Sequence, residues 1–182
     1  MGKSDPLQIA KIQVGPSGGE LGVSICPGIK DASSLVNRLG RDLEEDVKTI
    51  SSWNAKAALT LMETQELERF GVADIGAVMR IHHIEWYHLP IKDMSIPGKE
   101  FEKIWKEVGK YLGSIIFCGG NILIHCRAGL GRSGMIAARI LVELGWNSEV
   151  ALRRVREVRP GAIETRAQEE FVLGASARAN RS

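Results

Sequence analysis

Apolar residues recur along this chain in two periods, one typical of helices and one typical of strands. Residues 43–53 carry Leu43, Val47 and Ile50 three and four positions apart, which predicts an amphipathic helix. Similar spacing, capping residues and glycine stops predict further helices over residues 64–70, 74–82, 101–112, 134–144, 149–158 and 165–177. Short apolar and β-branched runs predict strands over residues 21–25, 57–62, 84–90 and 121–125. Because strands alternate with helices, we expect an α/β fold in which helices cover the faces of a central sheet.

The length of 182 residues suggests one domain, and the composition is ordinary for a soluble globular protein. Residues 15–19 read GPSGG, so we expect residues 1–20 to form a flexible N-terminal segment and residues 21–180 to form the domain. The formal net charge of +2 is too small to indicate a nucleic-acid partner. No run approaches the roughly 18 apolar residues that a membrane span needs, and no signal peptide is recognisable. We therefore expect a cytoplasmic monomer with no membrane or nucleic-acid partner.

The cysteines are Cys26, Cys118 and Cys126, an odd and low number that argues against a disulfide framework and for a reducing compartment. No pair of cysteines or histidines has the spacing of metal ligands, so we expect no metal and no cofactor. We interpret Cys118 as buried beneath the sheet. An alternative role for Cys118 or Cys26 is to trap an oxidised Cys126 as a disulfide.

The residues that carry chemistry lie at 125–133, which read HCRAGLGRS. A predicted strand ends at Cys126, Arg132 follows after five intervening residues, and a predicted helix comes next. Two glycines let the backbone curl so that successive N–H groups point into one hollow. The helix N-terminus adds partial positive charge, and the planar Arg132 guanidinium can bind two phosphate oxygens. The pattern predicts a phosphate cradle made of Arg127, Ala128, Gly129, Leu130, Gly131 and Arg132.

The same positive field acts on Cys126. A free thiol titrates near pH ~8.5, but a thiol at a helix N-terminus titrates at about 3.5–7.5, so we expect a thiolate aimed at phosphorus. Ser133 can donate its hydroxyl to that sulfur and help the thiolate leave in a second step, and we expect His125 to support the loop through its ring. A lone cysteine is usually a small buried hydrophobe, but the combined pattern indicates a nucleophile.

The motif is similar to the signature loop of the cysteine-based protein tyrosine phosphatases, and its late position in a short chain resembles their dual-specificity branch. Residues 88–97 (HLPIKDMSIP) and 159–171 (RPGAIETRAQEEF) resemble the group of kinase-associated phosphatases and their bacterial relatives, with weaker similarity at 21–28 and 41–46. This resemblance implies a single α/β domain whose central, mostly parallel sheet is flanked by helices.

The resemblance also implies roles for two residues outside the motif. Asp93 stands where the family carries its general acid, which protonates the leaving oxygen and then acts as base for water; from the residues alone, it could simply begin a turn. Gln168 stands where several relatives use a glutamine to position the attacking water, and it also fits a capping box with Thr165. Glu164 and Arg166 flank the same loop; we interpret them as surface charges, and a position in the lining of the pocket is the alternative.

The resemblance therefore implies a metal-independent phosphatase that hydrolyses phosphotyrosine in a phosphorylated protein or peptide through a phosphocysteine. The loop that deepens the pocket of tyrosine-specific enzymes has no counterpart here, so phosphoserine and phosphothreonine are further expected substrates. Arg127 occurs in place of the lysines of phosphoinositide 3-phosphatases, which disfavours a phosphoinositide or other non-protein phosphomonoester but leaves it open. Ser133 and Asp93 disfavour a sulfurtransferase or an arsenate reductase. The presence of both Cys126 and Arg132 disfavours a catalytically dead phospho-binding module.

Overall fold

Five strands form one sheet in the spatial order β1-β2-β5-β3-β4. The computed structural model describes residues 5–15, 18–31 and 40–174. Its strands are β1 (Ala10–Val14), β2 (Gly19–Ser24), β3 (Ala55–Thr60), β4 (Glu85–His88) and β5 (Asn121–His125). Strand β1 runs antiparallel to β2, and every other pair is parallel. The sheet is therefore mostly parallel, as expected.

Helices flank this sheet on the described part of the chain. They are α1 (Leu43–Ser52), α2 (Thr64–Arg69), α3 (Ile75–Ile81), α4 (Lys99–Phe117), α5 (Gly131–Glu143), α6 (Ser148–Val158) and α7 (Arg166–Leu173). Helices α4 and α5 contact each other, and both contact β2 and β5. Helices α6 and α7 pack against α5, while α1 lies against β3 and α3 against β4. None of the helices in the described ranges combines the length and the apolarity that crossing a membrane requires.

Strand β5 lies at the centre of the sheet, between β2 and β3. Its residues Ile122, Leu123 and Ile124 are fully buried, which explains the continuous apolar run that is typical of a parallel strand covered on both faces. At its end, His125 stands in register with Ser24 of β2 and Thr60 of β3. Because open parallel sheets bind ligands beyond the carboxyl ends of their strands, the residues that follow His125 lie where a site is expected.

We expected residues 1–20 to form a flexible segment, but β2 already begins at Gly19, and residues 10–14 are also ordered. These residues form β1, whose Ile12 and Val14 are buried while Lys11 and Gln13 are exposed. Two buried positions in alternation are a weak signal, and the neighbouring GPSGG stretch suggested a loop. The rest of that expectation falls partly on residues 1–4 and 16–17, which lie outside the described residues.

Helix ends differ from the predicted bounds in ways that matter for the site. Helix α5 begins at Gly131 rather than at residue 134, so Arg132 and Ser133 belong to its first turn. Helix α2 is capped by Glu63, whose side chain forms a capping box with Glu66. The predicted end of the last helix at residue 177 lies outside the described residues.

Candidate active site

Residues 126–132, here called the Cys126 loop, run from the end of β5 into the first turn of α5 at the carboxyl edge of the sheet. Gly129 has a φ of +68°, and a Cβ at this position would lie 2.4 Å from the backbone carbonyl of Ser24 in β2. Only glycine combines this backbone conformation with so close an approach. The tight curl of the loop therefore depends on Gly129, as the sequence pattern predicted.

Three successive carbonyls of the Cys126 loop accept hydrogen bonds from outside it. The N–H of Cys26 donates to the carbonyl of Arg127 at 3.2 Å. The guanidinium of Arg159 donates to the carbonyls of Ala128 at 2.9 Å and Gly129 at 3.0 Å. In a trans peptide the carbonyl and the following N–H point in opposite directions. The N–H groups that follow these carbonyls therefore turn to the other side of the loop, where they can bind an anion together.

Cys126 is buried, with 3% of its surface exposed, and its Sγ lies 3.3 Å from the hydroxyl of Ser133. Ser133 is itself fully buried in the first turn of α5. The hydroxyl can donate to a thiolate at this distance, and the helix N-terminus places partial positive charge beside the same sulfur. The Cys126 sulfur therefore lies beside both a hydroxyl donor and the start of a helix.

Arg132 enters the site as a buried cation held by Glu66. The side chain of Arg132 is 1% exposed, and its two terminal nitrogens donate to the Glu66 carboxylate at 2.6 and 2.9 Å. One of them, Nη1, also donates to the carbonyl of Ile91 at 3.0 Å. Such a two-point pair fixes both the position and the plane of the guanidinium.

The edge of the Arg132 guanidinium formed by Nε and Nη2 is only partly occupied within the described residues. Within the described residues, its Nε has no hydrogen-bond partner although the atom is buried. Nη2, on the same edge, faces Asp93 Oδ1 at 3.1 Å. A buried donor without a partner is unfavourable unless something occupies it, so this edge is suited to the oxygens of a phosphate.

The pKa values of the pair follow from burial and from the hydrogen bonds. Burial raises the pKa of the Glu66 carboxyl, but hydrogen bonds from Arg132 and from the backbone N–H of Glu63 outweigh it, so the pKa lies below the ordinary value. Burial lowers the pKa of Arg132, but Glu66 and the charges of Cys126 and Asp93 raise it above the ordinary value. Both partners are therefore charged at neutral pH.

Asp93 lies on the exposed loop between β4 and α4. Its side chain is 54% exposed, and its Oδ1 accepts a hydrogen bond from the N–H of Met94 at 3.1 Å. Met94 has a φ of +59°, and the N–H of Ser95 donates to the carbonyl of Lys92, so this segment is a turn. Asp93 therefore occupies the second position of this turn and also reaches Arg132.

Gln168 connects this exposed loop to the start of α7. The buried amide of Gln168 donates through Nε2 to the carbonyl of Ser95 at 3.3 Å. Its Oε1 accepts from the N–H groups of Glu164 and Thr165, and Thr165 completes the predicted capping box. Gln168 is thus a capping residue that also touches the Asp93 loop.

His125 is a buried, neutral side chain at the end of β5, directly before Cys126. Burial, with smaller effects of His88 and Arg132, lowers its pKa to about 3, although the nearby backbone of Cys126 opposes this shift. Its Nε2 lies 2.7 Å from the hydroxyl of Thr60, which accepts a hydrogen bond from the indole N–H of Trp86. The Thr60 hydroxyl can therefore donate to Nε2, which favours a ring proton on Nδ1. Nδ1 is buried and has no hydrogen-bond partner within the described residues, so the support of the loop by the His125 ring stays a prediction.

Arg127 belongs to the predicted phosphate cradle through its backbone, but its side chain lies elsewhere. The side chain of Arg127 turns away from the loop, because it donates to Asp31 at 2.7 and 2.9 Å.

Cys118 is exposed, so the expectation that it is buried is wrong. Cys118 precedes β5 and Cys126 follows it, which separates them by about 3.3 Å for each of five strand residues and excludes a disulfide in this fold. Cys26 is buried beside the loop, and burial, with the charge of Cys126, raises its pKa.

Glu66 and Arg159 belong to the site but were not predicted from the sequence. Glu66 carried no signal beyond a helical pattern, because its contact with Arg132 joins helices that follow different strands of the sheet. Arg159 lies in the stretch that resembles known phosphatases, but nothing in its spacing linked it to the Cys126 loop. Within the described ranges, no three histidine, cysteine, aspartate or glutamate side chains lie close enough together to hold a metal ion.

Comparison with known proteins adds family information to this geometry. A model of the family described as Tc-R-P, polymorphic toxin system, DSP-PTPase phosphatase, matches residues 36–146, more than half of the chain. Cyclin-dependent kinase inhibitor 3 of Rattus norvegicus is 27% identical over 155 residues, which cover 84% of this chain and 69% of that protein.

Two solved structures are similar to this chain in fold. Kinase-associated phosphatase with its catalytic cysteine replaced by serine matches with a TM-score of 0.84 at 23% identity, covering 99% of each chain. The active form of Tk-PTP matches with a TM-score of 0.66 at 26% identity, covering 87% of this chain and 92% of that chain. The first likeness shows that the two chains share a fold over nearly their whole lengths.

Proposed function

The chain belongs to this family of dual-specificity-type protein tyrosine phosphatases, and on that premise we propose that it hydrolyses phosphotyrosine in proteins through a phosphocysteine on Cys126. The observation that carries the proposal is the placement of three groups around one anion-binding loop: the buried Cys126 sulfur, the Ser133 hydroxyl, and the buried Arg132 Nε, which has no hydrogen-bond partner within the described residues. Phosphoserine and phosphothreonine are further proposed substrates. The cytoplasmic location and the monomeric state remain predictions.

Substrate binding uses the donors that the loop presents. The phosphate dianion accepts hydrogen bonds from the N–H groups of residues 127–132 and from Nε and Nη2 of Arg132. Glu66 holds the other side of the guanidinium and keeps this edge in place. Because Asp93 Oδ1 lies 3.1 Å from Nη2, the bound phosphate places its ester oxygen next to the Asp93 carboxyl.

The first chemical step transfers the phosphoryl group to the enzyme. The Cys126 thiolate attacks phosphorus in line with the leaving oxygen, a sulfur–phosphorus bond forms, and the phosphorus–oxygen ester bond breaks. Asp93 gives its proton to the departing oxygen, which avoids an alkoxide or phenoxide. The N–H groups and Arg132 stabilise the charge on the equatorial oxygens.

The second step releases phosphate. Water attacks phosphorus, the Asp93 carboxylate accepts one of its protons, and the sulfur–phosphorus bond breaks to restore the thiolate. Ser133 donates to that thiolate as it leaves. In this proposal Gln168, whose amide touches the Asp93 loop at Ser95, orients the water once the leaving group has departed.

The test compares hydrolysis of para-nitrophenyl phosphate and a phosphotyrosyl peptide by wild type, Cys126→Ser and Cys118→Ser in the presence of a chelator. We expect full activity for wild type and for Cys118→Ser, whose exposed thiol lies at the other edge of the sheet. Cys126→Ser should bind phosphate and turn over neither substrate. Activity in Cys126→Ser, or activity abolished by the chelator, would contradict the mechanism.

A substrate panel separates the remaining candidate functions. Faster hydrolysis of phosphoinositides than of phosphopeptides would favour the non-protein phosphatase. A folded wild-type protein that binds a phosphopeptide but never hydrolyses it would favour a phospho-binding module.

A further inference from the structure

The carboxylate of Glu164 lies against the Cys126 loop. A Cβ built on Gly131 would come within 2.4 Å of Glu164 Oε2 and within 3.0 Å of the Gln168 amide, so both side chains touch this glycine. Gly131 directly precedes Arg132 and is the first residue of α5. Glu164 is therefore an exposed carboxylate that borders the Cys126 loop, which fits the alternative interpretation of its sequence position.

The backbone at Ile163, directly before Glu164, has a strained conformation that directs Glu164 toward the Cys126 loop. Ile163 has a φ of +62°, which is a genuine outlier for a β-branched residue. Its N–H donates to the carbonyl of Leu130 at 3.3 Å, and its own carbonyl accepts from Arg156 at 3.1 Å. Such conformations persist only where the surroundings fix them, and they concentrate at functional sites.

Within the part of the chain that the structure describes, Glu164 has no cationic partner. The next acidic residues of the chain are paired, Glu169 with Arg156 and Glu170 with Arg166, each at 2.8 Å. No lysine or arginine of the described ranges forms an ion pair with Glu164. An uncompensated carboxylate next to a cradle for a dianion repels the phosphate, so it is unfavourable unless the substrate supplies a positive charge.

We propose that Glu164 is a specificity-determining residue that binds a cationic side chain next to the phosphorylated residue of a protein substrate. The inference rests on the proposed function and narrows its substrate class. The same carboxylate disfavours acidic phosphopeptides and polyanionic ligands such as phosphoinositides, because each additional negative charge near the loop meets Glu164.

The test uses three phosphotyrosyl peptides that differ only at the positions flanking the phosphotyrosine, which are lysine, serine or glutamate. The kcat/KM ratio of the lysine to the glutamate peptide is measured for wild type, Glu164→Gln and Glu164→Lys at low salt. Glu107→Gln, which removes an exposed carboxylate from α4, is the matched control. We expect wild type to prefer the lysine peptide by about tenfold, Glu164→Gln to lower this ratio by about three- to tenfold, and Glu164→Lys to invert it. Glu107→Gln should keep the wild-type ratio.

The outcomes separate this inference from the proposed function. If wild type hydrolyses the peptides but Glu164→Gln keeps the wild-type ratio, the inference is overturned and the phosphatase activity stands. A preference of wild type for the glutamate peptide or for phosphoinositide vesicles would also overturn it. Failure of wild type to hydrolyse any phosphopeptide would overturn both.

Discussion

Glu66→Gln is the substitution that tests most sharply how Arg132 is held. The glutamine retains one acceptor oxygen, but it loses the negative charge and turns an NH₂ group toward a guanidinium that also donates. Hydrogen bonds to charged groups contribute about 1.5–3 kcal/mol each, and breaking a buried pair costs about 3–5 kcal/mol. Because the Glu66 side chain is 17% exposed and water can replace part of the contact, we expect a loss in the free energy of unfolding of about 2–3 kcal/mol.

This loss has a thermal and a catalytic signature. A change of 1 kcal/mol lowers Tm by about 2–4 °C for a chain of this size, so Glu66→Gln should lower Tm by about 4–12 °C. A guanidinium that is no longer held in one plane also misplaces the phosphate, and kcat/KM for a phosphotyrosyl peptide should fall by about 10- to 100-fold.

The pH dependence of the stability difference has a defined sign. The pKa of Glu66 in the folded protein lies below the ordinary 4.5, so its stabilisation is fully present above that pH. It is lost as the pH falls through the folded-state pKa. The difference in unfolding free energy between wild type and Glu66→Gln should therefore shrink in acid.

Glu68→Gln is the matched control, because Glu68 is exposed on the same helix. The Tm and the kcat/KM of both variants are measured by thermal unfolding and steady-state kinetics. A Glu66→Gln protein with the Tm and the kcat/KM of the Glu68→Gln protein would refute the assignment of Glu66 as the residue that positions Arg132.

Three further predictions test other parts of the site. The pKa of His125 is about 3 when folded against 6.5 when unfolded, so unfolding free energy should fall by up to about 1.4 kcal/mol per unit as the pH drops from 6.5 toward 3. Urea unfolding of His125→Gln should lack this contribution, and an unaltered slope would contradict a buried neutral histidine. Gly129→Ala places a Cβ 2.4 Å from the Ser24 backbone and should lower the free energy of unfolding by at least about 3 kcal/mol. Gly145→Ala, at φ +96° in open space, should lower it by about 1 kcal/mol. Equal losses for the two variants in denaturant unfolding would argue against the close packing of the loop. Asp93→Asn should slow hydrolysis of an alkyl phosphate by about 10²–10⁴-fold. It should slow hydrolysis of para-nitrophenyl phosphate by less, because nitrophenolate leaves without a proton. Equal slowing with both substrates would assign Asp93 another role.

The sequence predicted the parts of the site that are local in the chain. Residues 125–133 form a strand end, a loop and a helix start within nine positions, so the residue types alone indicate how Cys126, Ser133 and the loop glycines meet. The capping box of Thr165 and Gln168 is equally local, since its hydrogen bonds span three residues. The alternation of strands and helices was enough to predict the fold class.

Long-range contacts could not be predicted in the same way. Glu66 reaches Arg132 across 66 positions because β3 and β5 are neighbours in the sheet, an order that the hydrophobic pattern does not encode. The contact of Glu164 with Gly131 depends on a strained backbone at Ile163, for which no residue type is diagnostic. The exposure of Cys118 depends on where α4 ends, which is the least certain part of any helix prediction.

The phosphoenzyme itself gives the most direct test of the central claim. Wild type is mixed with a phosphotyrosyl peptide, quenched in acid within the first turnover and mapped by mass spectrometry, with Cys126→Ser treated in parallel. The account predicts a phosphoryl group on the peptide that contains Cys126, none on the peptide that contains Cys118, and none in Cys126→Ser. Turnover without a phosphorylated Cys126, or a phosphoryl group on another residue, would contradict it.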